Sequence, residues 1–252
     1  MHPDCLGFQR FHSIDSSVSF GLAAGGTCSQ IISIGVEQGL VSVGMPILIV
    51  AATDAEIEPL VKTLGTKLDY LVTGVGMTAT AFALGSCLTK TRYDLAINLG
   101  IAGSFDRQVG LGSVWEVSED TFAELGAEND TEFIPLPSLG LGQVTFNPSV
   151  HLRDLPGNFQ LPEARAITVN TAHGNQDSIK KIQDRFDARL ESMEGAAFFY
   201  ACQKMNVPCL QIRGVSNYVE KRNPPLWKIQ SAIENVNQFA IALTGKLVDS
   251  TL

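Results

Sequence analysis

From Met45 onward, short apolar runs alternate with longer segments of helical period. Met45-Pro46-Ile47-Leu48-Ile49-Val50-Ala51-Ala52 is apolar throughout, as a strand covered on both faces requires. Leu68–Val72, Asp94–Leu99, Ala166–Val169 and Cys209–Ile212 read the same way. A further strand over Val109–Val117 is broken by glycine and closes on Glu119 and Asp120. Between these runs the pattern predicts helices from Thr53 to Lys62, Ala79 to Lys90, Ser178 to Phe186, Glu194 to Gln203 and Trp227 to Leu243. This alternation predicts an α/β fold: a single three-layer domain with a mostly parallel central mixed sheet.

Residues 1–44 have a different texture. They are rich in Ser and Gly, nearly lack Lys and Arg, and hold neither period. The expectation is a poorly structured, dispensable N-terminal extension ahead of a domain spanning 45–252. The stretch 121–160 is rich in Pro and Gly and predicts irregular structure, placed over a site or at a subunit contact.

Composition narrows the function classes. The 252 residues are 45% hydrophobic and carry a formal net charge of -8. Nucleic-acid backbones and anionic membranes both call for clustered basic charge, so neither is an expected partner. No apolar run approaches the length of a membrane span, and the N-terminus lacks the basic-then-apolar order of a secretory signal. Five scattered cysteines without a Cys-x-x-Cys pair suit a reducing compartment, so a cytoplasmic location is expected. Neither a metal nor a cofactor is expected. The lone Gly74-x-Gly76 lacks the third glycine of a dinucleotide site and the Gly-Lys-Ser/Thr of a P-loop, and there is no His-Glu-x-x-His.

The candidate chemistry lies where strands give way to helices, the place where open α/β sheets hold ligands. Gly74 and Gly76 follow one strand, and Ala102 and Gly103 follow another. Small residues at such turns let backbone amides approach a ligand. Glu194 heads a small and aromatic run, and Asn217 follows Cys209–Ile212 in the segment Arg213-Gly214-Val215-Ser216-Asn217-Tyr218. Together these suggest a nucleoside site. A carboxylate at Glu194 grips the ribose hydroxyls and suits the positive charge that develops on the sugar as a glycosidic bond breaks. Glu56 then orients and deprotonates the attacking water. The Asn217 amide offers donors and an acceptor together, which suits a 6-oxopurine; an aspartate there would favour adenine.

Each residue has a plainer reading. Thr53 and Glu56 have the spacing of a capping box, and Glu194 suits a helix start. Asn217 suits a turn, and Arg213 a buried acid. His173 either donates to a ligand or fills its loop. Lys221 and Arg222 either receive an anionic group at the far end of the ligand or form a solvated pair. Tyr218, Phe198 and Phe199 could stack on a ring, with at least one of the two phenylalanines in the core.

Five segments in this order carry a resemblance. They are Ile47 to Glu56 (ILIVAATDAE), Thr73 to Gly76 (TGVG), Asn98 to Ser104 (NLGIAGS), Ser192 to Ala197 (SMEGAA) and Arg213 to Val219 (RGVSNYV). Over Met45 to about Leu247 the chain resembles the purine nucleoside phosphorylase and nucleosidase superfamily, and within it the futalosine hydrolase family. The resemblance implies a nucleoside phosphorylase/hydrolase-like fold and hydrolysis of futalosine to hypoxanthine and dehypoxanthine futalosine, a step of menaquinone biosynthesis. It puts Glu56 on the water, the pair Met193-Glu194 on the ribose, and Asn217 where methylthioadenosine nucleosidases carry a proton-donating aspartate. Gly74, Gly76, Ala102, Gly103, His173, Ser216, Tyr218 and Arg222 complete the expected substrate contacts. Because relatives assemble, a homodimer or higher homo-oligomer is expected. The alternatives are a methylthioadenosine/S-adenosylhomocysteine nucleosidase and a phosphorolytic enzyme.

Overall fold

The structure, a computed structural model, describes residues 46–249; the expected extension over 1–44 lies outside the described residues. In chain order the elements are β1 (Ile47–Ala51), α1 (Asp54–Leu64), β2 (Asp69–Val72), α2 (Met77–Leu88), β3 (Leu95–Ser104), β4 (Val114–Phe122), β5 (Gly126–Asn129), β6 (Glu132–Pro135), β7 (Thr145–Phe146), β8 (Glu163–Thr168), α3 (Gln176–Arg185), β9 (Leu190–Ser192), α4 (Gly195–Lys204), β10 (Cys209–Tyr218) and α5 (Ile229–Asp249), with short 3-10 turns between some of them. Among the described residues no helix is long and apolar enough to cross a membrane.

The apolar runs become strands because both faces are covered. Every residue of β1 is buried: Leu48 and Val50 join a core with Leu84 of α2 and Phe198 of α4, while Ile47 and Ile49 join another with Leu60 of α1 and Leu243 of α5. Helices therefore lie on both sides of the sheet. Local signals set several boundaries. The Asn175 side chain accepts from the backbone N–H groups of Asp177 (2.9 Å) and Ser178 (3.2 Å), so α3 starts two residues before the expected Ser178.

The mixed sheet is present, but the plain three-layer arrangement is not. β10, β4, β8, β9 and β3 are neighbours in that order, and β10 also pairs with β3, which closes the five strands into a barrel. β1 and β2 continue outward from β3. Closure depends on the lengths of β3 and β10, each ten residues. Their parallel pairing runs from Cys209↔Ala96 to Tyr218↔Ser104, well past the apolar runs that announce them. Small and polar residues continue these strands because each strand pairs with the other along this length, which satisfies their backbone groups on that side whatever their own propensity.

Three expectations are corrected by the same fact. Arg213 does not follow a strand but sits in the middle of β10, fully buried, and Gly100–Ser104 belongs to β3. Glu119 and Asp120 do not end a strand, since β4 runs on to Phe122. The stretch 121–160 is also more regular than expected, containing the antiparallel hairpin β5–β6 and the short β7.

The barrel interior is polar and internally bonded. The two carboxylate oxygens of Asp120 accept from the Thr168 hydroxyl (2.8 Å) and the Gln211 amide (2.9 Å). Arg213 donates to Gln211 Oε1 (3.0 Å) and to Asn98 Oδ1, and Asn98 donates to the Val50 carbonyl (3.0 Å). The Arg213 charge is tolerated by these two acceptors and the nearby Asp120 carboxylate, while its Nε has no hydrogen-bond partner among the described residues.

Candidate active site

A gap in strand pairing creates the site. One edge of β3 pairs with β1 as far as Asn98 and with β9 from Gly103, leaving Leu99–Ala102 without a strand alongside. The free N–H of Ile101 donates to Glu56 Oε1 (3.2 Å). The other oxygen of Glu56 accepts from the Thr53 N–H (2.9 Å) and hydroxyl (3.1 Å). The cap and the site are thus one arrangement, and Glu56 serves both. Arg213 comes close from inside the barrel: a Cβ on Gly100 would stand 2.1 Å from its Nη1 and 2.9 Å from Glu56 Oε1, so only glycine fits there.

Glu194 is held from two sides. As the N-cap of α4 it begins a helix whose first residues are tied to the barrel: the Ala196 N–H donates to Thr168 Oγ1 (2.8 Å), and a Cβ on Gly195 would collide with Asp120 at 2.0 Å. Its Oε1 accepts from the N–H of Gly76 (3.0 Å), the N-cap of α2. Gly76 has φ of +99°, a left-handed conformation that glycine adopts without strain and that aims the amide at the carboxylate.

These groups border a cavity of about 380 Å³, a size suited to a small ligand. Of the expected site residues, Glu56, Ala102, Gly103, His173, Met193, Glu194, Ser216, Asn217 and Arg222 line it. Gly74, Gly76 and Tyr218 do not. Gly76 stands behind Glu194. The Tyr218 hydroxyl donates to the Val109 carbonyl (2.9 Å), and its ring lies under the Arg107 guanidinium. Phe198 and Phe199 are both fully buried in the core, so neither can stack on a ligand. Asn217 sits late in β10, with its Oδ1 accepting from the Ser216 hydroxyl (2.7 Å) and its Nδ2 donating to the Tyr218 carbonyl (3.0 Å). One amide hydrogen and one lone pair remain for a ligand. At the mouth, Arg222 stacks on Trp227 (4.7 Å), whereas Lys221 is absent from the lining.

Sequence reasoning missed Glu191, Glu220, Trp227 and Ile233, all of which line the cavity. β9 is three residues long and gives no periodic signal, so Glu191 had no visible context. Trp227 and Ile233 read as ordinary helix positions. Burial pushes the Glu191 carboxyl above its ordinary value, opposed by the bonds it receives from His173. Away from the cavity, Glu116, His151 and Glu163 bring possible metal-ligand atoms within 4.8 Å of one another. Glu163, however, is engaged by Arg153 (2.5 Å), and Glu116 accepts from the Leu152 N–H (3.1 Å).

Comparison with known proteins adds to this geometry. A family model described as the phosphorylase superfamily matches residues 53–249. The chain is 28% identical to a futalosine hydrolase of Thermus thermophilus over 67% of this chain and 77% of that protein. It is 32% identical to a futalosine hydrolase of Streptomyces coelicolor over 66% of this chain and 73% of that protein. Among solved structures, 5'-methylthioadenosine/S-adenosylhomocysteine nucleosidase from Helicobacter pylori with butyl-thio-DADMe-Immucillin-A superposes with a TM-score of 0.70 and 15% identity, covering 80% of this chain and 98% of that one. At that identity the likeness speaks for the fold alone.

Proposed function

The chain belongs to the phosphorylase superfamily, and within it we propose that it hydrolyses the N-glycosidic bond of futalosine. The products are hypoxanthine and dehypoxanthine futalosine, a step of menaquinone biosynthesis in the cytoplasm, and the catalytic unit is the domain 45–252. The observation that carries this reading is one cavity lined by two separately anchored carboxylates and a neutral amide, Glu56, Glu194 and Asn217. The futalosine hydrolases among the relatives support it.

Glu194, with Met193 beside it, takes the ribose. Its carboxylate binds the hydroxyls and faces the positive charge that grows on the sugar as the bond to the base lengthens. Glu56 holds the attacking water and accepts its proton. The bond from Ile101 and the two from Thr53 fix the carboxylate in advance, so little reorganisation is needed when the water attacks. Asn217 donates to the 6-oxo group with its remaining amide hydrogen and accepts from a ring N–H with its remaining lone pair. Ala102, Gly103 and Ser216 complete the wall beside the base. Arg222, set on Trp227 at the mouth, faces the carboxylate tail of futalosine. Phosphorolysis is disfavoured because, among the described residues, Arg222 is the single Lys or Arg in the lining, and a phosphate site is built from several cationic or amide donors.

The test is direct. The purified chain, incubated with futalosine in phosphate-free buffer, releases hypoxanthine, and added phosphate does not accelerate it. Glu56→Gln lowers kcat by about 100-fold or more with KM little changed. Faster turnover of methylthioadenosine than of futalosine would assign the adenine-nucleoside activity instead. Dependence on phosphate would assign the phosphorolytic one.

A further inference from the structure

An amide cannot give up a proton, so the mechanism above leaves the departing purine without an acid. The cavity lining holds a candidate. β9 pairs with β3 so that Glu191 lies opposite Gly103, and β10 brings Asn217 opposite Gly103 from the other side. Residues directly opposite on neighbouring strands project from the same face, and adjacent strands are about 4.8 Å apart. Asn217 and Glu191 therefore flank a place where β3 contributes no side chain. A Cβ on Gly103 would stand 3.2 Å from Asn217 Nδ2 and 2.9 Å from Val219 Cγ2, so a glycine there leaves Asn217 its room, and Gly103, Glu191 and Asn217 line the same cavity.

Glu191 does not meet this space alone. Its Oε1 accepts from the His173 N–H (2.9 Å) and its Oε2 bonds His173 Nδ1 (2.5 Å). Glu191 is buried and His173 mostly so, at 5% and 11% side-chain exposure, and both residues line the cavity. With Nδ1 committed to the carboxylate, Nε2 is the ring atom left without a hydrogen-bond partner among the described residues. A plain loop anchor is the competing explanation. The segment is already anchored without this pair, by the Val169 N–H to Ser192 O (3.0 Å), the Asn170 N–H to Glu124 Oε2 (2.7 Å) and the Asn175 cap.

We propose that His173, oriented by Glu191, protonates the departing purine, supplying the proton that Asn217 cannot. The step rests on the nucleosidase reading. The C1′–N9 bond breaks and its electron pair passes into the purine. The proton on Nε2 moves to a ring nitrogen of that base. Water oxygen bonds to C1′ and loses its proton to Glu56. One proton has left His173 and one has reached Glu56, and exchange with solvent resets both. His173 is the catalytic residue and Glu191 the positioning residue, holding the ring in one tautomer and orientation. The charged groups facing the pair are Glu194 across the cavity, Glu124 after β4, and Glu220 and Arg222 from the loop packed on Gly174. All four are unchanged in the variants that follow.

Two substrates separate acid catalysis from binding. Futalosine must gain a proton on its base; 7-methylinosine, already cationic, loses a neutral base without one. With futalosine, His173→Asn lowers kcat by about 100-fold or more with KM within about threefold, and the fall in wild-type kcat at alkaline pH disappears. With 7-methylinosine the loss is under about fivefold. Glu191→Gln lowers kcat on futalosine about tenfold and leaves kcat on 7-methylinosine within about threefold. Equal losses on both nucleosides, a loss confined to KM, or an alkaline fall retained by His173→Asn would each overturn the assignment. If the wild type does not cleave 7-methylinosine, the pH profile on futalosine decides. A wild type that cleaves no purine nucleoside removes the nucleosidase reading and the acid together, whereas an active wild type with an equally active His173→Asn removes the acid alone.

Discussion

Asn217 can discriminate between bases only while its two ends stay distinct. Ser216 donates to Oδ1 and the Tyr218 carbonyl accepts from Nδ2, so the orientation of the amide is held before a base arrives. A carboxylate at 217 would set an oxygen against the Tyr218 carbonyl where the amide now donates, and would leave no hydrogen for a 6-oxo group. Asn217→Asp therefore lowers kcat/KM for futalosine by about 10–100-fold, one to two hydrogen bonds' worth of discrimination. It raises the relative rate on 6-aminopurine nucleosides, whose exocyclic group donates to the new acceptor. Competition assays with futalosine and its 6-amino counterpart measure the ratio. A variant with wild-type selectivity would remove Asn217 from base recognition. The type of this residue was legible in the sequence; the bonds that hold it were not, because they depend on a strand continuing past its apolar run.

The elements divide along the same line. β1, β2, α1 and α2 follow from local pattern: β1 is an unbroken apolar run covered on both faces, and the segments after it match short strands and helices in length and composition. β9 and the second halves of β3 and β10 do not. Gly100, Gly103, Arg213 and Asn217 lie in strands because other strands flank them, which no window of sequence reports. Barrel closure rests on those segments, and so does the buried network behind Glu194. Asp120 at its centre has a carboxyl pushed up to about 6 by burial, against the opposing pull of Gln211, Thr168 and the Arg213 charge. Between about pH 4 and 6 the folded chain holds a proton that the unfolded chain has released, so folding stability from this group falls as pH rises through that window. The loss is complete above it, at about 3 kcal/mol. Asp120→Asn, which cannot titrate, flattens the dependence of Tm on pH over that range whatever its effect on Tm itself. Thermal unfolding at half-unit pH steps measures it, and parallel slopes for the two proteins would mean that Asp120 ionises in the fold as it does in the open chain.

At the scale of the molecule, one face remains to be accounted for. Phe82 on α2 is 63% exposed, Leu125 43% and Tyr200 on α4 40%. Phe82, Leu125 and Tyr200 border a hollow of about 650 Å³ together with Met77 and Phe122, with Glu124 as the one charged residue in the lining among the described residues. Apolar patches of this kind on a globular surface mark places where another surface docks. The homo-oligomer expected from the sequence would cover this face with a second copy of the chain. A two-fold axis through the face would set one apolar patch against the same patch of its partner, the commonest geometry of a homo-oligomer. The face also adjoins the cavity through Val75, a lining residue that is 58% exposed, so a partner there would shelter the substrate from water as well as bury Phe82. Light scattering on the eluting wild type should then report a mass of at least twice the chain's 27.1 kDa. Phe82→Glu, which leaves the core untouched and places a charge in the middle of the contact, should return it to the single-chain mass and raise KM for futalosine. A wild type that elutes at one chain's mass at micromolar concentration would leave the face to some other partner and make Val75 part of an open rim.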